Sequence, residues 1–147
     1  MAYNQLQKLN DNIEAIRIAL AWEKGKTLDG AQVEALQKYS GFGGIKAVLY
    51  PNAAKEEWIK LNATDEDLRL YPKIKELHEL LKNNLSEHEY KETIGSIKNS
   101  VLTAFYTPPV VPQILYATLK EHGIEPQRIY EPSSGAGIFI TEAVKAF

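Results

Sequence analysis

Leu6, Leu9, Ile13, Ile16 and Leu20 recur every three or four residues and draw one apolar stripe along a helix near the start of the chain. Trp22 extends that apolar character and Gly25 is a plausible stop. The same spacing fits a heptad seam, so two such helices could pair. Five positions are too few for a coiled coil, and packing onto the chain's own core is the commoner outcome. Residues near 29–39 read as a second helix with Val33, Leu36 and Tyr39 on one face, broken by Gly41-Phe42-Gly43-Gly44. Three glycines in four residues either form an anion nest or cap a helix in a tight turn over a buried Phe42. No Lys-Ser/Thr follows as a phosphate loop requires, which favours the turn.

The middle of the chain repeats the helical pattern. Residues near 53–61 predict a short helix with Trp58 and Ile59 inward. Thr64 reads as an N-cap before Asp65, Glu66 and Asp67, whose charges suit a helix start; as a solvated first turn they need no metal. Pro72 is expected to open a further helix at its first turn, with Ile74, Leu77, Leu80 and Leu81 as the apolar face. Ser86 and Glu89 form a capping-box pattern ahead of Tyr90, Ile94, Ile97 and Val101.

The C-terminal third changes character. Pro108 or Pro109 starts a helix through Ile114, Leu115, Ala117, Thr118 and Leu119, which Gly123 ends. Arg128-Ile129-Tyr130-Glu131 reads as a short strand. A glycine loop and a last helix carrying Ile138, Phe139, Ile140, Ala143 and Val144 follow. The pattern as a whole predicts more than half the residues in helix and almost no sheet.

Composition narrows the function. Hydrophobic residues at 44% and charged residues at 24% are ordinary for a globular chain. There is no cysteine, hence no disulfide framework and no thiolate metal site, and His78, His88 and His122 lack zinc-ligand spacing. No apolar run approaches the roughly 18–20 residues of a membrane span, and the N-terminus lacks an apolar signal region, so no membrane contact and a cytoplasmic location are expected. The net charge of −2 gives no basic footprint for nucleic acid.

Two segments carry the candidate chemistry: Thr103-Ala104-Phe105-Tyr106-Thr107-Pro108-Pro109 and Ile129-Tyr130-Glu131-Pro132-Ser133-Ser134-Gly135-Ala136-Gly137-Ile138-Phe139. The second brings a ligand against bare backbone at a helix start, behind an acid. Taken alone, its glycine spacing is weak evidence, because Ile140 stands where a dinucleotide fingerprint has its third glycine. Ser133 and Ser134 have no histidine or acid at triad-like spacing and read as small loop residues.

As a pair, the two segments resemble the start of the catalytic domain in N6-adenine DNA methyltransferases, which have a Tyr-Thr-Pro-Pro-type motif, a helix, then Glu-Pro-Ser/Ala-x-Gly-x-Gly-x-Phe. Leu85 to Tyr90 and Ser100 to Tyr106 look like the lead-in of large methylase-helicase proteins of plasmids, phages and conjugative elements. Leu36 to Ile45 is similar to their Tyr-x-Gly-Trp/Phe-Gly-Gly-Leu motif, so the resemblance covers roughly residues 27–147.

The resemblance implies a mainly α chain. A helical region over 1–100 leads into the first strand and helices of an incomplete Rossmann-like methyltransferase domain over 101–147. It implies S-adenosyl-L-methionine as cofactor. Glu131, Pro132, Ser133, Gly135 and Gly137 would form the loop that holds its methionine and ribose part, with Glu131 engaging the ammonium end. Tyr106, Thr107 and Pro108 would close over the carboxylate. The family's Asp/Asn-Pro-Pro-Tyr/Phe tetrapeptide, which clamps the flipped adenine, is absent, and Thr107-Pro108-Pro109-Val110 is no substitute. The acid expected to bind the cofactor ribose, a target-recognition region and a helicase part are absent too. The expectation is therefore a fragment of an adenine methyltransferase that is inactive alone, binds its cofactor weakly or not at all, and meets DNA through other parts of the parent protein. Unpaired strand and helix surface predicts self-association through residues 127–147. The alternative is a non-enzymatic helical interaction module that keeps the loop as a relic, and a third reading is a different nucleotide ligand.

Overall fold

A computed structural model describes residues 4–103, 107–132, 134–135 and 137–147. Helix takes up 66% of them, as the periodicity predicts. They group into two compact units, Met1–Phe105 and Tyr106–Phe147.

In the first unit, α1 (Gln5–Glu23) starts where the Asn4 side chain accepts the Gln7 amide at 3.1 Å. Leu9 and Ile13 of its stripe enter the core, Ile16 and Leu20 pack partly against it, and Trp22 stays exposed. A second, polar row on the same helix, Gln5, Lys8 and Asn12, holds the glycine turn. Asn12 is fully buried; its Nδ2 donates to the Gly41 carbonyl at 2.6 Å and its Oδ1 accepts the Ser40 amide at 2.9 Å. Lys8 Nζ donates to the Gly43 carbonyl at 2.9 Å and Gln5 Nε2 to that of Gly44 at 3.2 Å. Gly41 (φ 69°) and Gly44 (φ 78°) are left-handed, which explains glycine there, and Phe42 is buried. The run gives three carbonyls to α1, and its Gly44 amide is taken by the Val101 carbonyl at 2.9 Å, which does not suit an anion nest. It is the tight turn over Phe42.

α2 (Gly30–Gln37) begins with an Asp29–Gln32 capping box and lies against α1. It buries no residue fully, and Val33, expected on an inner face, is exposed. A 3₁₀ turn, Lys46–Leu49, was not expected from the pattern; it buries Ala47 and Val48. α3 (Lys55–Lys60) inserts Trp58 completely, while Ile59 is 55% exposed, against expectation. Consecutive helical side chains diverge by about 100°, so the two cannot share one inward direction. Trp58 stacks on Tyr50 at 4.7 Å, meets Tyr71 edge-on at 5.0 Å, and donates Nε1–H to the Pro51 carbonyl at 2.8 Å.

α4 (Asp65–Asn84) is one continuous helix, so Pro72 lies inside it and does not open a new one. The Thr64–Asp67 capping box starts the helix seven residues earlier, and Leu70, Ile74, Leu77 and Leu81 form one buried stripe that runs past Pro72. Tertiary burial over about three turns outweighs the missing amide of one exposed proline, which costs about 3 kcal/mol. α5 (Glu87–Ser100) follows a Ser86–Glu89 capping box and packs on α4, with Ile97 and Val101 buried and Tyr90 and Ile94 half-buried.

In the second unit, Pro109 sits at the cap of α6 (Val110–Glu121), as the proline pair predicts, and α6 packs on α7 (Ile138–Ala146). The expected strand Arg128–Glu131 does not form, and no strand occurs among the described residues. Ile129 and Tyr130 face outward, Tyr130 at 87% exposure. Their β-propensity has no neighbouring backbone to pair with, and propensity alone does not make a strand. The described part of this unit is a helix pair joined by an irregular connection, without a Rossmann-like sheet.

Candidate functional site

Apart from Thr103, which ends the first unit, the described residues of the two chemical motifs lie in the second unit. Thr107 is half-buried and Pro108 exposed at the entry to α6, where the Pro108 carbonyl accepts the Val111 amide at 3.0 Å. Tyr106 and Ser133 lie outside the described residues. Glu131 is half-buried and Pro132 exposed.

The glycines of the loop have a conformational reason. Gly135 (φ 52°) and Gly137 (φ 75°) are both left-handed, and the Gly137 amide closes a tight turn onto the Ser134 carbonyl at 2.7 Å. A Cβ built on Gly137 meets nothing within 4 Å. Backbone direction, not crowding, therefore selects glycine there. Gly137 delivers the chain directly into α7, and its carbonyl accepts both the Thr141 amide at 2.9 Å and the Thr141 hydroxyl at 3.0 Å. That leaves the amides of Ile138, Phe139 and Ile140 without acceptors inside the helix. No side chain caps this end and no acid stands in the first turn. The end of α7 beside the loop thus carries the positive pole of the helix with no acid in its own first turn.

Tyr116 of α6 connects the loop to the helix pair. It is buried, donates its hydroxyl to the Phe139 carbonyl at 3.0 Å, and meets Phe147 edge-on at 5.6 Å. Burial pushes the Tyr116 hydroxyl's pKa up, and the nearby Glu131 carboxylate adds to the rise. The acid of the loop therefore sits close to the α6–α7 junction. Glu142 locks the other side of that junction: its carboxylate accepts from Gln113 Nε2 at 3.0 Å and from Lys145 Nζ at 2.5 Å, which together hold its pKa below the usual carboxylate value. Neither Tyr116 nor Glu142 stands out in the sequence. Tyr116 lies among more obvious aliphatic positions, and only the Glu142-to-Lys145 spacing hints at an anchor.

A groove of about 250 Å³ opens between residues 126–129 and the outer face of α7, lined by Ile129, Ile140, Val144 and Phe147 among others. Ile129 of the second motif lines it, but none of the described cofactor-loop candidates Thr107, Pro108, Glu131, Pro132, Gly135 and Gly137 does. No cluster of three or more His, Asp or Glu side chains that could hold a metal occurs among the described residues. Among the described residues, no helix is long and apolar enough to cross a membrane.

Comparison with protein families, with curated proteins and with solved structures finds no match to this chain.

Proposed function

We propose that residues 101–147 form the opening of an S-adenosylmethionine-binding domain of the N6-adenine DNA methyltransferase type, preceded in the chain by a helical region. The observation that carries this reading is the loop from Glu131 to Gly137. A half-buried acid is followed by two left-handed glycines, which feed the uncapped start of α7. A sulfonium ligand with a zwitterionic tail needs these groups: a carboxylate for the ammonium and free helix amides for the carboxylate. Tyr106, Thr107 and Pro108 would close over that tail, while Pro132, Ser133 and Gly135 would shape the loop around it. Arg128 to Glu131 would become the first strand of a Rossmann-like sheet once a neighbouring strand supplies its hydrogen bonds.

The chain by itself contributes no catalytic residue. The adenine clamp is not among its 147 residues. In the reading proposed, DNA is met through other parts of a larger enzyme. Losing ribose and adenine contacts, at roughly 1–3 kcal/mol for each polar group left out, weakens a micromolar site to about millimolar. The test is titration calorimetry with S-adenosylmethionine on the chain and on Glu131→Ala and Gly135→Val. Weak binding that both substitutions abolish is expected. Binding that neither affects would place the ligand elsewhere. Transfer of a labelled methyl group to adenine-containing DNA by this chain would overturn the assignment of catalysis to other parts.

A second reading is a non-enzymatic helical interaction module. Exposed Val110, Val111, Ile114 and Leu115 on α6 favour it, since they present one apolar face to solvent. Calorimetry showing no S-adenosylmethionine heat at millimolar ligand would shift the balance to it.

A further inference from the structure

The first unit holds an open groove of about 510 Å³ between α1 and α5. The two helices flank it without packing on each other. Its α1 wall is Ile16, Ala19, Leu20 and Glu23, the i, i+3, i+4 and i+7 positions of one stripe over two turns. The facing wall on α5 is Glu92, Thr93, Ser96 and Ile97, kept low in the middle by the small Thr93 and Ser96. Phe42 and Leu81 of the core are among the residues beneath. Ile16 and Leu20 are only half-buried, so the stripe that anchors α1 to the core still shows apolar surface here.

Charge selects the occupant. No Lys, Arg or His lines the groove, and its charged groups are Glu23 and Glu92. Glu23 is the last residue of α1, whose last turn carries no basic side chain, so its carboxylate adds to the negative end of the helix dipole. Lys24 is turned away to Asn84 Oδ1 at 2.7 Å, and Glu92 meets the exposed His88 ring at 3.3 Å on its own helix. Backbone chemistry selects its conformation. An extended peptide would bring a row of unpaired C=O groups against helical walls whose only donors are two hydroxyls. A helix satisfies its own backbone, and the small side chains Ala19, Thr93 and Ser96 admit one at an interaxial distance of about 8–10 Å.

We propose that this groove docks an amphipathic helix of a partner protein. Apolar residues at i, i+3 or i+4, and i+7 seat between α1 and α5, and a Lys or Arg reaches Glu23 and Glu92. The test is selection of a displayed helical-peptide library on the full chain, with counter-selection on Ser96→Trp, which fills the groove from its exposed rim. Recovered peptides should carry the apolar spacing with a basic residue at one end. A labelled representative should bind the Glu23→Lys/Glu92→Lys chain at least about tenfold more weakly in fluorescence anisotropy, and exchanging its basic residue for Glu should restore the affinity. The double reversal leaves the groove's shape intact, so it still decides the matter if Ser96→Trp misfolds. The proposal is overturned if no peptide is enriched, if peptides bind Ser96→Trp equally, or if binding ignores the charge reversal. It is also overturned if Ser96→Trp abolishes self-association of the chain, which would make a second copy the occupant.

Discussion

Single residues set much of the first unit's stability. Asn12 is a fully buried amide whose two ends hold Gly41 and Ser40. Removing it leaves a carbonyl and an amide unsatisfied, so Asn12→Ala should cost about 2–4 kcal/mol in chemical denaturation. Gly95 lies inside α5, and a Cβ there meets nothing within 4 Å. Gly95→Ala should therefore raise stability by about 0.5–1 kcal/mol, read as a higher melting temperature. His78 is buried against the Tyr90 hydroxyl at 2.7 Å. Burial, together with the charges of Lys82, Lys98 and Lys75, lowers its pKa from 6.5 to about 4. The folded protein keeps this ring neutral where the unfolded chain protonates it. Stability should thus fall as pH drops from 6.5 toward 4, by up to roughly 3 kcal/mol, and hold steady above that window. Glu76 and Glu89, whose pKa values are lowered by their hydrogen-bond partners, add losses only as pH falls below their ordinary 4.5. His78→Gln should flatten the 6.5-to-4 slope in pH-dependent denaturation and leave the steeper acid limb.

At the scale of elements, the sequence was most legible where a cap and an apolar period agreed. Thr64 caps α4 as predicted, with Asp67 completing a capping box, and the Ser86–Glu89 spacing starts α5. Pro72 was misread because proline is a good first-turn residue and a poor interior one. The buried stripe from Leu70 to Leu81 decided the matter, and no local rule sees that stripe's partners. Pro72 is exposed and its missing amide leaves the Leu68 carbonyl without its helical donor. Pro72→Ala should then stabilise α4 by about 1–3 kcal/mol, less whatever the unfolded chain gains in freedom, a difference that denaturant midpoints will show. Arg128–Glu131 failed for a related reason, since strand character is a property of a pair. At the candidate site, the glycine loop and the proline entry to α6 were legible from residue type. The roles of Tyr116 and Glu142 were not, because they depend on how α6 meets α7.

For the whole molecule, the second unit shows far more apolar surface than its size needs. Ile129, Tyr130, Ile140, Val144 and Phe147 are all exposed. We expect concentration-dependent self-association through residues 127–147, with Val144→Glu shifting the mass in light scattering toward the monomer. A strictly monomeric mass across a concentration series would count against it. The central proposal is narrower: the loop from Glu131 to Gly137 would receive the amino-acid end of S-adenosylmethionine. Residue-resolved NMR of the amide-labelled chain tests it most directly, because weak binding still moves individual amides. On addition of S-adenosylmethionine to several-fold above the expected dissociation constant of about 1 mM, the amides of Glu131, residues 133–140 and Thr107 should shift together, and Glu131→Ala should abolish the shifts. Loop amides that stay unmoved at that concentration, or shifts confined to the first unit, would contradict the account.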